Sequence, residues 1–277
     1  MTIVVTVRVN DGLVMAADSA TTFSDQAGNA VKVYNSANKL FNLVKVWPIG
    51  AMTYGSGSIG AASIETLSKD LRVQLDPATS TEPAIVLDPT NYTVRQVAER
   101  ARDFLFARYQ AASPDGVPGF HMGYRVCGYS AGATLPEAWE VGISGAATFG
   151  PTSLYADDAF GPRWAGETEA LDRLVLGTGS RLAEALHQGG LDEANAAVIH
   201  QDLAQRLYVS LYLPAMPIQD AIDLARFLAE TAAKFTLFSL RAATVGGPIE
   251  VAAITKHEGF KWINRKHFFD QHFNVRT

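Results

Sequence analysis

The N-terminal segment constrains this chain more than any other stretch. Ile3 to Val9 is a run of mostly β-branched apolar residues, Asn10-Asp11-Gly12 has turn chemistry, and Leu13 to Ala17 is a second apolar run. Together they predict a β-hairpin. Such a hairpin returns Asp18 to the start of the chain, beside Thr2. If an initiator methionine is trimmed from in front of so small a residue, Thr2 carries both a hydroxyl and a free α-amine. That amine titrates near about 7.7–8.0, close enough to neutrality to take the hydroxyl proton with little tuning, so one residue supplies nucleophile and base. While Met1 stays attached, the nitrogen is an amide and cannot serve. The plainer reading of Met-Thr is a protein that simply begins with a strand, and other residues must decide between the two.

Further along, Asn38-Lys-Leu-Phe-Asn-Leu43 is followed by an apolar strand and then by Thr53-Tyr-Gly-Ser-Gly-Ser-Ile-Gly60, which opens a helical pattern over Ala61 to Leu71. Gly177-Thr-Gly-Ser180 and Gly246-Gly-Pro-Ile-Glu-Val251 come later. Taken with Thr-Ile-Val-Val at the N-terminus and Ala-Ala-Asp ending at Asp18, this ordered set resembles the proteasome β-subunit family of N-terminal-nucleophile hydrolases, in its bacterial proteasome-type form. The resemblance implies an α+β fold built as a four-layer αββα sandwich, with the N-terminal threonine in a cleft between two sheets. It implies Thr2 as nucleophile and Asp18 and Lys39 as its charge network. The Gly55 N–H would serve the oxyanion, and Thr178, where the family usually has serine, would contact the terminal amine. A lysine beside Thr2 depresses the amine and hydroxyl pKa values, and a carboxylate keeps it in place and charged.

Each of these residues also has an ordinary structural reading. Asp18 can be a strand-end carboxylate, Lys39 a solvated strand-end lysine, Gly55 a turn glycine, and Thr178 or Ser180 a helix N-cap before Arg181 to His187. Two departures from the family pattern stand out. Ala20 occupies the place of an arginine, and Leu240 to Val245, ahead of Gly246-Gly247, contains no acid to support the amine.

Two other motifs compete. Gly55-Ser-Gly-Ser-Ile-Gly60 fits the dinucleotide fingerprint G-x-G-x-x-G, but the following helix leads into a Pro-rich loop rather than a second strand ending in a ribose-binding acid. Gly128-Tyr-Ser-Ala-Gly132 fits the G-x-S-x-G nucleophile elbow. The elbow must enter a helix, whereas Glu137 to Ser144 alternates as a strand, which makes Ser130 a hairpin-turn residue.

Composition narrows the field. With 277 residues, 48% of them hydrophobic, the chain can bury a substantial core, and no linker or charge block divides it, so residues 1–277 read as one domain. A net charge of -5 with scattered Arg and Lys argues against nucleic acid. The lone Cys127 excludes an intrachain disulfide and fits a reducing cytoplasm. The six histidines show no metal-ligand spacing, so neither a metal nor a cofactor is expected. No signal peptide and no membrane-spanning run are apparent.

Periodicity predicts strands at Ile3 to Val9, Leu13 to Ala17, Val31 to Phe41, Val46 to Tyr54, Met122 to Tyr129, Glu137 to Ser144, Ile249 to Ile254 and Phe260 to Ile263. Helices are expected at Gly60 to Arg72, Tyr92 to Gln110, Ser180 to Leu213 and Ile218 to Phe235. Asp76 to Pro89, Ser113 to Phe120 and Ala146 to Glu167 read as surface loops from their Pro and Gly content. The functional expectation is a threonine-type endopeptidase in a homo-oligomeric ring. It would act on peptide or unfolded protein, with Arg8 to Asp11 and the loop after Asp18 framing the groove and an ATPase unfoldase as a candidate feeder. An inactive structural subunit and a hydrolase of small amides are the alternatives.

Overall fold

In this computed structural model the described residues are 2–24, 30–45, 47–81, 86–156, 159–240 and 244–267. The N-terminal half begins with strands β1 (Ile3–Val9), β2 (Gly12–Ala17), β3 (Thr21–Ser24), β4 (Ala30–Tyr34), β5 (Leu40–Val44) and β6 (Ile49–Gly55). Two-residue strands β7 (Ser58–Ile59) and β8 (Ala62–Ser63) lead into helices α1 (Ile64–Leu75) and α2 (Val94–Ala112). Strands β9 (His121–Gly128), β10 (Glu137–Ser144), β11 (Ala147–Ser153) and β12 (Gly161–Gly166) follow. Then come the short α3 (Glu169–Leu171), a π-helical turn (Asp172–Leu176), α4 (Leu182–Gln188), α5 (Glu193–Arg206) and α6 (Ile218–Phe238), with β13 (Glu250–Thr255) and β14 (Gly259–Asn264) last.

Two five-stranded antiparallel sheets form, with strand orders β12-β1-β2-β13-β14 and β11-β10-β9-β6-β5. Every residue of β1 and β2 is buried, and the pleat sends alternate side chains to two different cores. Ile3, Val5, Val7 and Val9 join α6 and the α3 region in one, whereas Val4 joins the other. That second core lies between the sheets, with Leu13, Met15, Ala17, Ala252 and Ile254 on one side and Leu40, Met52, Tyr54 and Cys127 on the other. A third core packs the outer face of the second sheet against α1 and α2. Each fully buried Leu, Val or Met contributes about 1.5–3 kcal/mol relative to exposure, so a strand buried on both faces must be a nearly unbroken apolar run.

The α+β alternation expected from the sequence is present, with four corrections. The first helix starts at Ile64 rather than Gly60, because Gly55 ends β6, Ser58 to Ser63 forms the β7–β8 hairpin, and Ser63 caps α1 by accepting the Thr66 N–H at 3.1 Å. The dinucleotide reading therefore loses its helix N-terminus. The stretch Ser180 to Leu213 is two helices broken at Gly189-Gly190, with Asp192 capping the second. Ala146 to Glu167 is not a surface loop: it holds β11 and β12, each the edge strand of its sheet. Pro151 and Pro162 are tolerated there because an edge strand has one side on which a missing N–H breaks no ladder, so composition alone disguised them. Finally, Val31 to Phe41 divides into β4 and β5, and β4 pairs with an unanticipated β3. Val46, the expected start of the next strand, and residues 82–85 of the Pro-rich loop lie outside the described residues.

Ser130 stands in the β9–β10 connection. Its hydroxyl donates to Glu137 Oε1 at 2.6 Å and accepts the Val94 N–H at the start of α2 at 3.0 Å. It is a tie between hairpin and helix, as the hairpin reading anticipated. Cys127 is fully buried, and burial pushes its thiol up to about 12. Alkylation at pH 8 should therefore leave the native protein unlabelled and modify one thiol after unfolding in denaturant; rapid native labelling would show that the two sheets open.

Candidate active site

The β1–β2 hairpin brings Thr2 and Asp18 together as its sequence predicts. Asp18 is fully buried, and both of its oxygens are committed. Oδ1 accepts the Ile3 N–H at 3.1 Å and the Lys39 ammonium at 2.7 Å, while Oδ2 accepts the N–H groups of Ala20 and Gly246, each at 3.0 Å. One carboxylate thus fixes the peptide immediately after Thr2, the entry to β5 through Lys39, and the C-terminal glycine pair. Neither residue is a solvated strand end. Burial pulls the Lys39 pKa below its ordinary value, and Asp18 acts in the opposite direction. An ammonium so placed needs its partner, because an unpaired buried charge is far costlier than a paired one.

A second ion pair backs the first. Glu250, 1% exposed, is opposite Ala17 in the β2–β13 ladder and meets Lys266 Nζ at 2.9 Å. The same ammonium donates to Ser19 Oγ at 2.8 Å, and Ser19 Oγ donates to Pro248 O at 2.6 Å. Lys266 and Glu250 both act electrostatically on Lys39. Sequence reading missed this pair. Its one signal was Glu250 within the Gly-Gly-Pro-Ile-Glu-Val segment, a carboxylate on an otherwise apolar strand.

Thr2, Lys39, Thr53 and Tyr54 line one wall of a cavity of about 670 Å³, with Thr21, Thr22 and the Gly55-to-Ser58 segment among the others. Gly55 has φ 85°, and a Cβ there would meet the His121 carbonyl oxygen at 2.4 Å, so only glycine fits. Burial, with Glu140 adding to it, raises the Tyr54 pKa far above its usual value, which keeps the phenol protonated beside the cavity. Arg8, expected to frame the groove, is buried, with its guanidinium 5.5 Å from the centre of the Tyr155 ring and 5.2 Å from that of Phe160. The stretch after Asp18, expected as a loop, is strand β3 at Thr21 and Thr22, and these two residues line the cavity.

Among the described residues, the walls of the Thr2 cavity do not include Thr178. It lines a separate cavity with Arg173, Arg181 and Leu207, and its buried Oγ1 has no hydrogen-bond partner among the described residues. The N-cap reading fails as well: α4 has no side-chain cap, and Ser180 hydrogen-bonds Glu169 instead. What does lie beside Thr2 is the end of β12. Gly166 pairs with Ile3, and the Glu167 N–H donates to Thr2 O at 2.8 Å. Finding it from sequence required knowing that β12 is a strand and that it pairs with β1. Residues 241–243, in the segment without an expected acid, lie outside the described residues, as does Met1. No group of three or more His, Cys, Asp or Glu among the described residues could hold a metal ion, and no helix among them is long and apolar enough to cross a membrane.

The two five-stranded antiparallel sheets with helices packed against them form an architecture for which a solved counterpart exists. The chain is similar to Anbu (ancestral beta-subunit) from Yersinia bercovieri over 96% of this chain and 88% of that one, with a TM-score of 0.54 and 15% identity. At that identity the likeness is one of fold, and it carries no activity. No family model matches the sequence, and no curated protein matches it. The membership of the proteasome β-subunit family suggested by the ordered landmarks is therefore not upheld. The landmarks are short, and several have local structural causes: Gly55 a positive φ, Gly247 a positive φ against the Asn35 carbonyl, and Gly177 a positive φ at the end of the π-helical turn.

Asp18→Asn should destabilise the protein by about 3–5 kcal/mol in urea denaturation, since it strands the Lys39 charge. The double change Asp18→Asn with Lys39→Met should recover much of that loss. Losing the Asp18 charge removes the largest interaction that opposes burial at Lys39, so the folded-state pKa of Lys39 falls further in the single variant than in the parent. The variant's unfolded chain then holds an extra proton over a wider interval, and its deficit should shrink as pH rises from neutrality toward about 10.

Proposed function

We propose that this chain is an N-terminal-threonine hydrolase of amide bonds, with peptides as its substrate class and Thr2 as nucleophile after Met1 is removed. The observation that carries this reading is the single Asp18 oxygen shared by the Lys39 ammonium and the Ile3 N–H, which ties a buried cation to the residue next to Thr2 on the wall of a cavity. Thr2 Oγ1 attacks the substrate carbonyl, and its proton passes to the freed α-amine and then to the leaving nitrogen. The resulting ester on Thr2 is hydrolysed by water, which returns the hydroxyl. Lys39 lowers the pKa of both Thr2 groups, Asp18 holds Lys39, and the Gly55 N–H takes the developing oxyanion. Glu167 is the acid nearest in the ladder to Thr2, and we assign it the support of the amine that the segment before Gly246 lacks; Thr178 has no part in this scheme. We take the chain as one domain, stacked as a four-layer αββα sandwich of the N-terminal-nucleophile hydrolase type. The word subunit in the name of its structural neighbour favours work within an assembly.

Intact mass of active material should lack the initiator methionine, and a β-lactone should add covalently to Thr2. Thr2→Ala should abolish both the adduct and turnover of a fluorogenic peptide panel, and Lys39→Ala should cut turnover by about 100- to 1000-fold. Trimmed protein that ignores the lactone and cleaves neither peptides nor small amides would refute the proposal. For Glu167, the Gln variant should displace the acid limb of the pH–rate profile while leaving KM little changed; an unmoved profile would remove Glu167 from the mechanism.

A further inference from the structure

A second cavity, of about 530 Å³, lies behind the Thr2 cavity and shares Asn38 and Glu65 with it. Its walls come from β5, α1 and the end of β14, and they carry Lys45, Lys69, Arg72 and Arg265 against only two acids, Glu65 and Glu250. Both acids are already matched by lysines: Glu65 accepts from Lys69 at 2.6 Å and Glu250 meets Lys266 at 2.9 Å. Lys45, Arg72 and Arg265 have no carboxylate partner among the described residues; Arg265 instead stands 4.7 Å over the Trp262 ring. The Asn42 amide is also on the wall, and its buried Oδ1 has no hydrogen-bond partner among the described residues.

These three cations line one concavity without a carboxylate partner among the described residues, on a chain whose net charge is -5. Like charges repel, and such a cluster persists at modest cost only where solvent or an anion screens it. Two of the three are arginines, whose planar forks match the geometry of phosphate oxygens. The guanidinium of Arg265 is already held over an indole face, which limits the entropy lost on binding. Asn42 supplies a neutral group that can accept from a protonated phosphate oxygen or, turned about, donate to a bare one.

The geometry points to a binding site for a small phosphate-bearing anion in this cavity, held by Lys45, Arg72, Arg265 and Asn42. The site is distinct from the Thr2 cavity and does not depend on the hydrolase reading. Lys69 is the adjustable member, since it can turn from Glu65 to the anion.

Calorimetric titration of the full chain at matched ionic strength tests this with three probes: orthophosphate, pyrophosphate and a sugar phosphate. At least one should bind saturably in or below the millimolar range. Arg72→Gln with Arg265→Gln should weaken that binding by tenfold or more, while Lys234→Gln, which removes the same kind of charge from α6, should leave it unchanged. Preference for the sugar phosphate identifies an ester as ligand, and preference for either inorganic probe identifies the free anion; both support the site. Absence of saturable binding by all three overturns it, as does equal weakening by Lys234→Gln or indifference to the double substitution. Far-UV circular dichroism of each variant separates loss of the site from loss of the fold. Binding is read without turnover, so a chain that proves inactive still decides the question.

Discussion

The four hydrogen bonds on Asp18 hold the architecture around the N-terminus together. A buried carboxylate is tolerable only when its lone pairs are engaged, and this one engages donors from β1, from the turn after β2, from the strand-end Lys39 and from the glycine pair ahead of β13. Remove any of these segments and the charge loses part of its compensation. The constraint is therefore reciprocal: the fold supplies the donors, and the carboxylate fixes where four separate parts of the chain must meet. The Glu250–Lys266 pair extends the same logic outward, so two acids and two bases form a neutral group at one end of the gap between the sheets.

How much of this could be read from residues depended on sequence distance. The β1–β2 hairpin is local, its turn chemistry is explicit, and the proximity of Thr2 to Asp18 follows from it directly. Lys39 entered through the family resemblance rather than the strand pattern, which ran a single strand from Val31 to Phe41 across what are β4 and β5. The pairing of β12 with β1 was not, because it joins segments far apart in the chain and because Pro162, Gly161 and Gly166 make β12 look like a loop. Without that pairing, the Gly-Thr-Gly-Ser segment at 177–180 offered itself as the neighbour of Thr2, when the backbone that bonds Thr2 is that of Glu167. The family resemblance failed in a similar way: short glycine-containing landmarks answer to local backbone demands, and those demands recur in chains that share a fold and little else.

The two cavities illustrate a division of labour along one stretch of chain. Asn38 and Glu65 stand between them, with the Lys39 ammonium among hydroxyls and glycines on one side and several guanidinium and ammonium groups on the other. Glu65 is bound to Lys69 and Asn38 and feels Lys266 as well, and these partners together lower its pKa despite its partial burial. The partition between a chamber with one buried cation and a strongly positive one thus carries an ionised carboxylate.

Chain termini usually fray, since nothing anchors one side of them. Here the opening residues run between β12 and β2, with ladder bonds on both edges and a carboxylate gripping the third residue. Residues 3–9 are consequently held from both sides along their length. A side chain anchored beside them has little rotational freedom left to surrender when it meets another group.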